Sequence, residues 1–168
     1  SYLENTVKLY NSETYEQIQT FEQQDSPSSL LQLKRQSEVL VISSWSPSAL
    51  HFYQLSRPYK LLGTVKDVCT NYSNGLIELS NGHVEASNSV YKCIYIVDPQ
   101  RYKVIATIVD KEYIRDSGPL YAFGNNSFIY VSSLILDSGC LCEITMINGK
   151  YKITFKTKER KNDLLGKC

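Results

Sequence analysis

No stretch of this 168-residue sequence approaches the roughly 18 apolar residues that a helix needs to cross a bilayer, and no segment carries a helical period. A membrane-spanning helix is therefore excluded, and a soluble body is expected. Charge of one sign is also missing. Lys and Arg number 18 against 17 Asp and Glu, a net charge of +1, which argues against a dominant electrostatic attraction to nucleic acid or anionic lipid. Histidine is scarce: His51 and His83 are the only two, too few for a histidine-rich metal site. No glycine loop of the phosphate-cradling kind occurs. The five cysteines, Cys69, Cys93, Cys140, Cys142 and Cys168, are odd in number and lack framework spacing. Reduced thiols in a cytoplasmic or nuclear setting fit better than a disulfide scaffold. Two glycosylation-type triplets, Asn71-Tyr72-Ser73 and Asn125-Asn126-Ser127, pull weakly the other way.

What the sequence does contain is a repeat. "VKLYNSETYEQIQTF" from Val7, "LHFYQLSRPYKLLGTV" from Leu50 and "IYIVDPQRYKVIATI" from Ile94 share an alternating apolar run, a polar turn and a Tyr-x-x-apolar-x-Thr-apolar ending. The heading tyrosines, Tyr15, Tyr59 and Tyr102, lie 44 and 43 residues apart, close to the length of a four-stranded propeller blade. A fourth copy from Leu141 slips by one residue around Tyr151. Between these hairpins recurs a second pair of runs, from Leu30, Leu76 and Leu120, each crossing a polar turn and reaching a serine-rich stop. Tyr, Val, Ile and Thr dominate, the side chains suited to a pleated, half-buried surface.

The pattern implies an all-β chain of about three and a half four-stranded blades of a β-propeller. Its expected units are a half blade at 1–24, blades at 25–68, 69–111 and 112–162, and the start of a next unit or a tail at 163–168. Three and a half blades cannot close a ring of the usual 4–8. The register begins mid-blade at Val7, a new unit starts near Leu164, and Ser1 is not an initiator residue. Part of a larger ring is therefore expected, with a second copy as the lesser possibility.

"IYIVDPQRYKVIATI" resembles the blade signature of YVTN-type β-propellers, and the whole unit is similar to the WD-repeat class. Where a WD-repeat blade carries Trp-Asp, this chain has Tyr10-Asn11, Tyr53-Gln54 and Val97-Asp98, and Gly82-His83 sits inside a hairpin. The family's Asp-His-Ser/Thr-Trp network is therefore not carried over, and Kelch-type paired glycines are absent. The resemblance implies a propeller that serves as a binding platform.

The chemistry-bearing residues mostly have structural readings. His51 alternates with Leu50 and Phe52 on a strand. Cys140-x-Cys142 points two small side chains to one face, without the second ligand pair zinc requires. Thr20, Thr64 and Thr107 read as ladder residues. The basic run in "KYKITFKTKERK" reads as an edge strand protected from further pairing. The expectation is a non-catalytic protein-interaction scaffold with no cofactor, no metal and no catalytic residue. Its partners would be a protein or peptide, the remaining blades, or a second copy; nucleic acid is not expected. Trp45, in a loop joining two strands, is the leading partner-binding candidate, with the more exposed His83 and Tyr113. The alternative is a propeller enzyme of the lactonase or quinoprotein kind, with a metal or cofactor at the central channel. That would need converging side chains such as Asp116, Glu78 and Asn74.

Overall fold

The computed structural model describes residues 5–22, 26–68, 75–88, 91–109, 117–122, 127–132 and 138–160, with side chains left aside at 22, 117–122, 127–132, 138–142 and 154–160. The described residues form fourteen strands. A two-stranded sheet pairs β1 (Thr6–Tyr10) with β2 (Gln17–Glu22). The first four-stranded sheet runs through β3 (Pro27–Gln32), β4 (Val39–Trp45), β5 (Ser48–Gln54) and β6 (Leu61–Lys66) in that order. The second takes β7 (Leu76–Glu78), β8 (Val84–Asn88), β9 (Cys93–Asp98) and β10 (Lys103–Val109). The third takes β11 (Ser117–Ala122), β12 (Ser127–Ser132), β13 (Ser138–Ile147) and β14 (Lys150–Arg160). Every pairing is antiparallel between chain neighbours, so each sheet is a simple meander. The basic run lies in β14, the last strand of its sheet.

The sheets stack face to face in chain order, with β3, β7 and β11 side by side. Stacking explains the burial pattern. β8, "VEASN", is buried at every position because a neighbouring sheet covers each of its faces. One apolar cluster joins Val41, Leu50, Phe52 and Val65 of the first sheet to Leu76, Val84, Ala86 and Val97 of the second. Another joins Ile77, Ile94, Ile96 and Ile108 of the second to Ile144 of the third. Each such fully buried side chain contributes about 1.5–3 kcal/mol.

Tyr15, Tyr59 and Tyr102 occupy the same place in three successive hairpins, each in the left-handed region with φ of 58°, 45° and 51°. Bulky residues rarely adopt it, so packing must compensate. Tyr102 lies over Phe52 of the preceding sheet, ring centroids 5.3 Å apart, and fills the space where a Cβ on Gly63 would sit. Tyr59 meets Phe21 of β2 edge-on at 6.5 Å. Tyr59 and Tyr102 thus reach back and tie each of their sheets to the one before it, whereas Tyr15 is exposed. The slip in the fourth copy has a local cause. There the turn is Asn148-Gly149, both left-handed (φ 50° and 72°), a two-residue hairpin of the Asn-Gly type that leaves Tyr151 on the strand. The residues standing where a WD repeat has Asp start turns instead: the side chains of Asn11 and Asp98 each accept the amides two and three residues on.

The reading of the serines as stops needs correction at Ser43-Ser44. Both lie inside β4 and are fully buried. They are tolerated there because the Ser44 hydroxyl is 3.1 Å from the Pro47 carbonyl and the Ser43 hydroxyl is 2.9 Å from that of Ser28.

Candidate functional site

His51 is locked across three strands, with Nε2 3.1 Å from the Ser44 hydroxyl on β4 and Nδ1 3.3 Å from that of Thr64 on β6. A serine–histidine pair can make a nucleophile, but Ser44 is fully buried and its hydroxyl also faces the Pro47 carbonyl, so no substrate reaches it. Glu78, considered above for a channel site, accepts the backbone amides of Lys34 and of Arg35 (3.1 Å) and so fastens the second sheet to the β3–β4 turn. Asn74 and Asp116 lie outside the described residues. Among the described residues no three His, Cys, Asp or Glu side chains come together as a metal site, and no helix is long and apolar enough to cross a membrane. Cys93 is free and buried, and burial pushes its thiol up, away from the reactive thiolate.

The two partner-binding candidates among the described residues, Trp45 and His83, do not converge. Trp45 is half-buried and is the last residue of β4, paired with Ser48 across the Ser46-Pro47 turn, so it belongs to the ladder more than to a loop. It shares the end of the stack with the exposed Tyr91 in the β8–β9 turn. His83 stands in the β7–β8 turn, at the opposite end, because successive turns of a meander alternate ends. It is half-buried, and its Nδ1 shares a hydrogen bond with the Tyr151 hydroxyl, which also accepts Asn81 Nδ2 at 2.6 Å. Burial, and then the charge of Asp98, push the Tyr151 hydroxyl up against the opposing pull of Asn81. His83 therefore joins two blades where greater exposure was expected. Tyr113 lies outside the described residues.

An open groove lies beside the first strands, at residues that the residue-by-residue reading did not single out. A groove of ≈ 780 Å³ separates β1 from β3, with Val7, Lys8 and Tyr10 on one side and Pro27, Ser29 and Leu30 on the other. Its meaning comes from the repeat. Tyr15 aligns β1–β2 with the last two strands of each four-stranded sheet. In those sheets the equivalent of β1 is flanked by a second strand, whereas β1 has no partner on that edge among the described residues. Leu76 of the second sheet is 9% exposed; its counterpart in the first, Leu30, is 55% exposed and faces the groove. The sequence signal was available in the half unit at Val7, which lacks the paired runs that precede every other copy.

No protein-family model and no curated protein matches this chain. Solved structures do. A functionally unknown protein from Desulfotomaculum acetoxidans superposes with a TM-score of 0.74 at 10% identity, covering 94% of this chain and 49% of that one. The Cps50 (Swd1) β-propeller domain of Myceliophteria thermophila gives 0.66 at 7% identity over 92% and 52%. A candidate 6-phosphogluconolactonase of Bacteroides uniformis gives 0.66 at 11% over 90% and 50%. The chain thus spans about half the length of these structures. With the succession of four-stranded meanders, helix-free among the described residues, the likeness establishes the fold as a β-propeller.

Proposed function

We propose that this chain is a non-catalytic protein-interaction scaffold that takes up polypeptide in the groove beside β1. The observation that carries this reading is the contrast between Leu30, half-uncovered, and its buried counterpart Leu76. An apolar wall next to an open strand edge is the setting for strand addition, in which backbone bonds supply affinity and side-chain pockets supply specificity. The occupant would be the remaining blades of the same propeller or a second copy of the chain, with Trp45 and Tyr91 at the stack end as a separate contact for a protein partner. The units 25–68, 69–111 and 112–162 would act as blades, and the odd cysteine count favours an intracellular setting.

The test is sedimentation of the 168-residue chain with an apolar dye. Self-association or dye uptake is expected, reduced several-fold in Leu30→Asp and unchanged in Tyr91→Ala. A folded, dye-silent monomer would sink the proposal. The enzyme alternative, which the likeness to the candidate lactonase keeps as the rival reading, is tested by metal analysis: stoichiometric calcium or zinc in the purified protein would overturn the ordering.

A further inference from the structure

Among the described core residues one breaks the repeat chemically. On the middle strand of each sheet, the residue paired with Leu31, Ile77 and Tyr121 is Val41, Glu85 and Ile129 in turn. Two blades place an aliphatic side chain there and one places an acid. Glu85 is fully buried, and neither carboxylate oxygen has a hydrogen-bond partner. Its ladder neighbours, Ile77 and Ile96, belong to the cluster that meets Ile144 of the third sheet. The acid therefore stands inside the seam between the second and third sheets. Ser87, two residues along the same face, is buried with an unpartnered hydroxyl as well.

Among the described residues, the surroundings offer no compensating charge. From β7, Glu78 accepts the backbone amides of Lys34 and Arg35. From β9, Asp98 lies 3.7 Å from Arg101. From the turn before β8 and from β14, His83 and Tyr151 hold each other. β11 and β12 carry no charged residue, Tyr121 and Tyr130 being their only titratable side chains. Of the charged side chains described on β13 and β14, Glu143, Lys150 and Lys152 have no ion pair with Glu85, whose oxygens are without partners; the side chains of Lys156, Lys158, Glu159 and Arg160 lie outside the described ones. An unpaired carboxylate in such a place costs so much that the group takes up a proton instead.

We propose that the seam between the second and third sheets is proton-gated: it closes around Glu85 in the neutral form and loosens when Glu85 ionises. The direction follows from linkage. Burial holds the carboxyl well above the usual carboxylate range in the closed seam. Closed and open forms are both protonated below the ordinary glutamate value of about 4.3, and there the seam is at full strength. Above it the open form releases its proton first. Stability is then lost as pH rises, by up to about tenfold in the closing equilibrium per pH unit, until the closed form ionises too.

Hydrogen exchange on the 168-residue chain between pH 5 and 8, corrected for intrinsic rates, tests this. Protection of β11–β14 amides relative to β3–β6 amides should fall as pH rises, and Glu85→Gln should flatten the slope. Glu85→Val, which installs the Val41 chemistry, serves if Gln impairs folding, and should flatten it too. A flat wild-type profile would overturn the proposal. So would a slope that survives either Glu85 variant but vanishes in His83→Gln, which would assign the effect to the imidazole.

Discussion

The two seams that flank the second sheet have the same geometry and different chemistry. On the side of the first sheet, Val41, Phe52, Val84 and Val97 make an apolar contact, and Glu78 bridges the rim onto two backbone amides. On the side of the third sheet, isoleucines surround Glu85, a carboxyl with no partner. Residues 78 and 85 show what a propeller repeat tolerates. At the rim a carboxylate can find amide donors, so it fastens. In the middle of β8 those donors are already used by the ladder, so the same group is stable only when neutral. One seam is unconditional, and the other depends on protons.

The comparison is broken most strongly at Phe52. This ring is fully buried, meets the Tyr102 ring at a 55° tilt and lies in the cluster between the first two sheets. Phe52→Ala should lower stability by about 3–5 kcal/mol at any pH between 5 and 8, read by urea denaturation. A loss below about 1 kcal/mol, or one that varies with pH, would show that this seam is not the unconditional one. A smaller effect, about 1–3 kcal/mol, is expected from Gly63→Ala. The added methyl would meet Tyr102 ring carbons at 2.4 Å. Because the clash is with one side chain, Gly63→Ala combined with Tyr102→Ala should cost less than the two changes added. Strict additivity would mean that the Tyr102 ring is not what keeps a larger residue out of position 63.

The period of the tyrosines made the architecture legible. It is physical: the tyrosine must reach the preceding blade, so its spacing equals the chain length of one blade. What the period could not convey was which residues had lost their neighbours. Leu30 and Leu76 read alike in sequence, and only the stack shows that one is uncovered. Trp45, between Ser43-Ser44 and Ser46-Pro47, reads as a loop residue, and that local pattern does not show that it ends a ladder paired with Ser48. His83 followed an Asn-Gly pair and so suggested exposure, yet its partner Tyr151 is 68 residues away, beyond any local pattern. Glu85 was legible in principle, since aligning the middle strands sets it against Val41. The eye follows what a repeat shares, and this residue departs from it.

The smallest expected effect comes from Tyr15. It shares with Tyr102 the repeat position, the hairpin and the left-handed backbone, with φ of 58° against 51°. It differs in packing on no sheet among the described residues, and is 81% exposed. If seam packing sets the value of this tyrosine, Tyr15→Ala should change stability by no more than about 0.5 kcal/mol, as for other surface changes away from special features. Tyr102→Ala should then cost several times as much. If the left-handed turn sets it, alanine is disfavoured at both positions to a similar degree, and the two variants should lose comparable stability. Thermal denaturation of the two single variants side by side separates these accounts. Equal losses would mean that the tyrosines recur to hold the turn, and that their contact with the neighbouring blade is incidental.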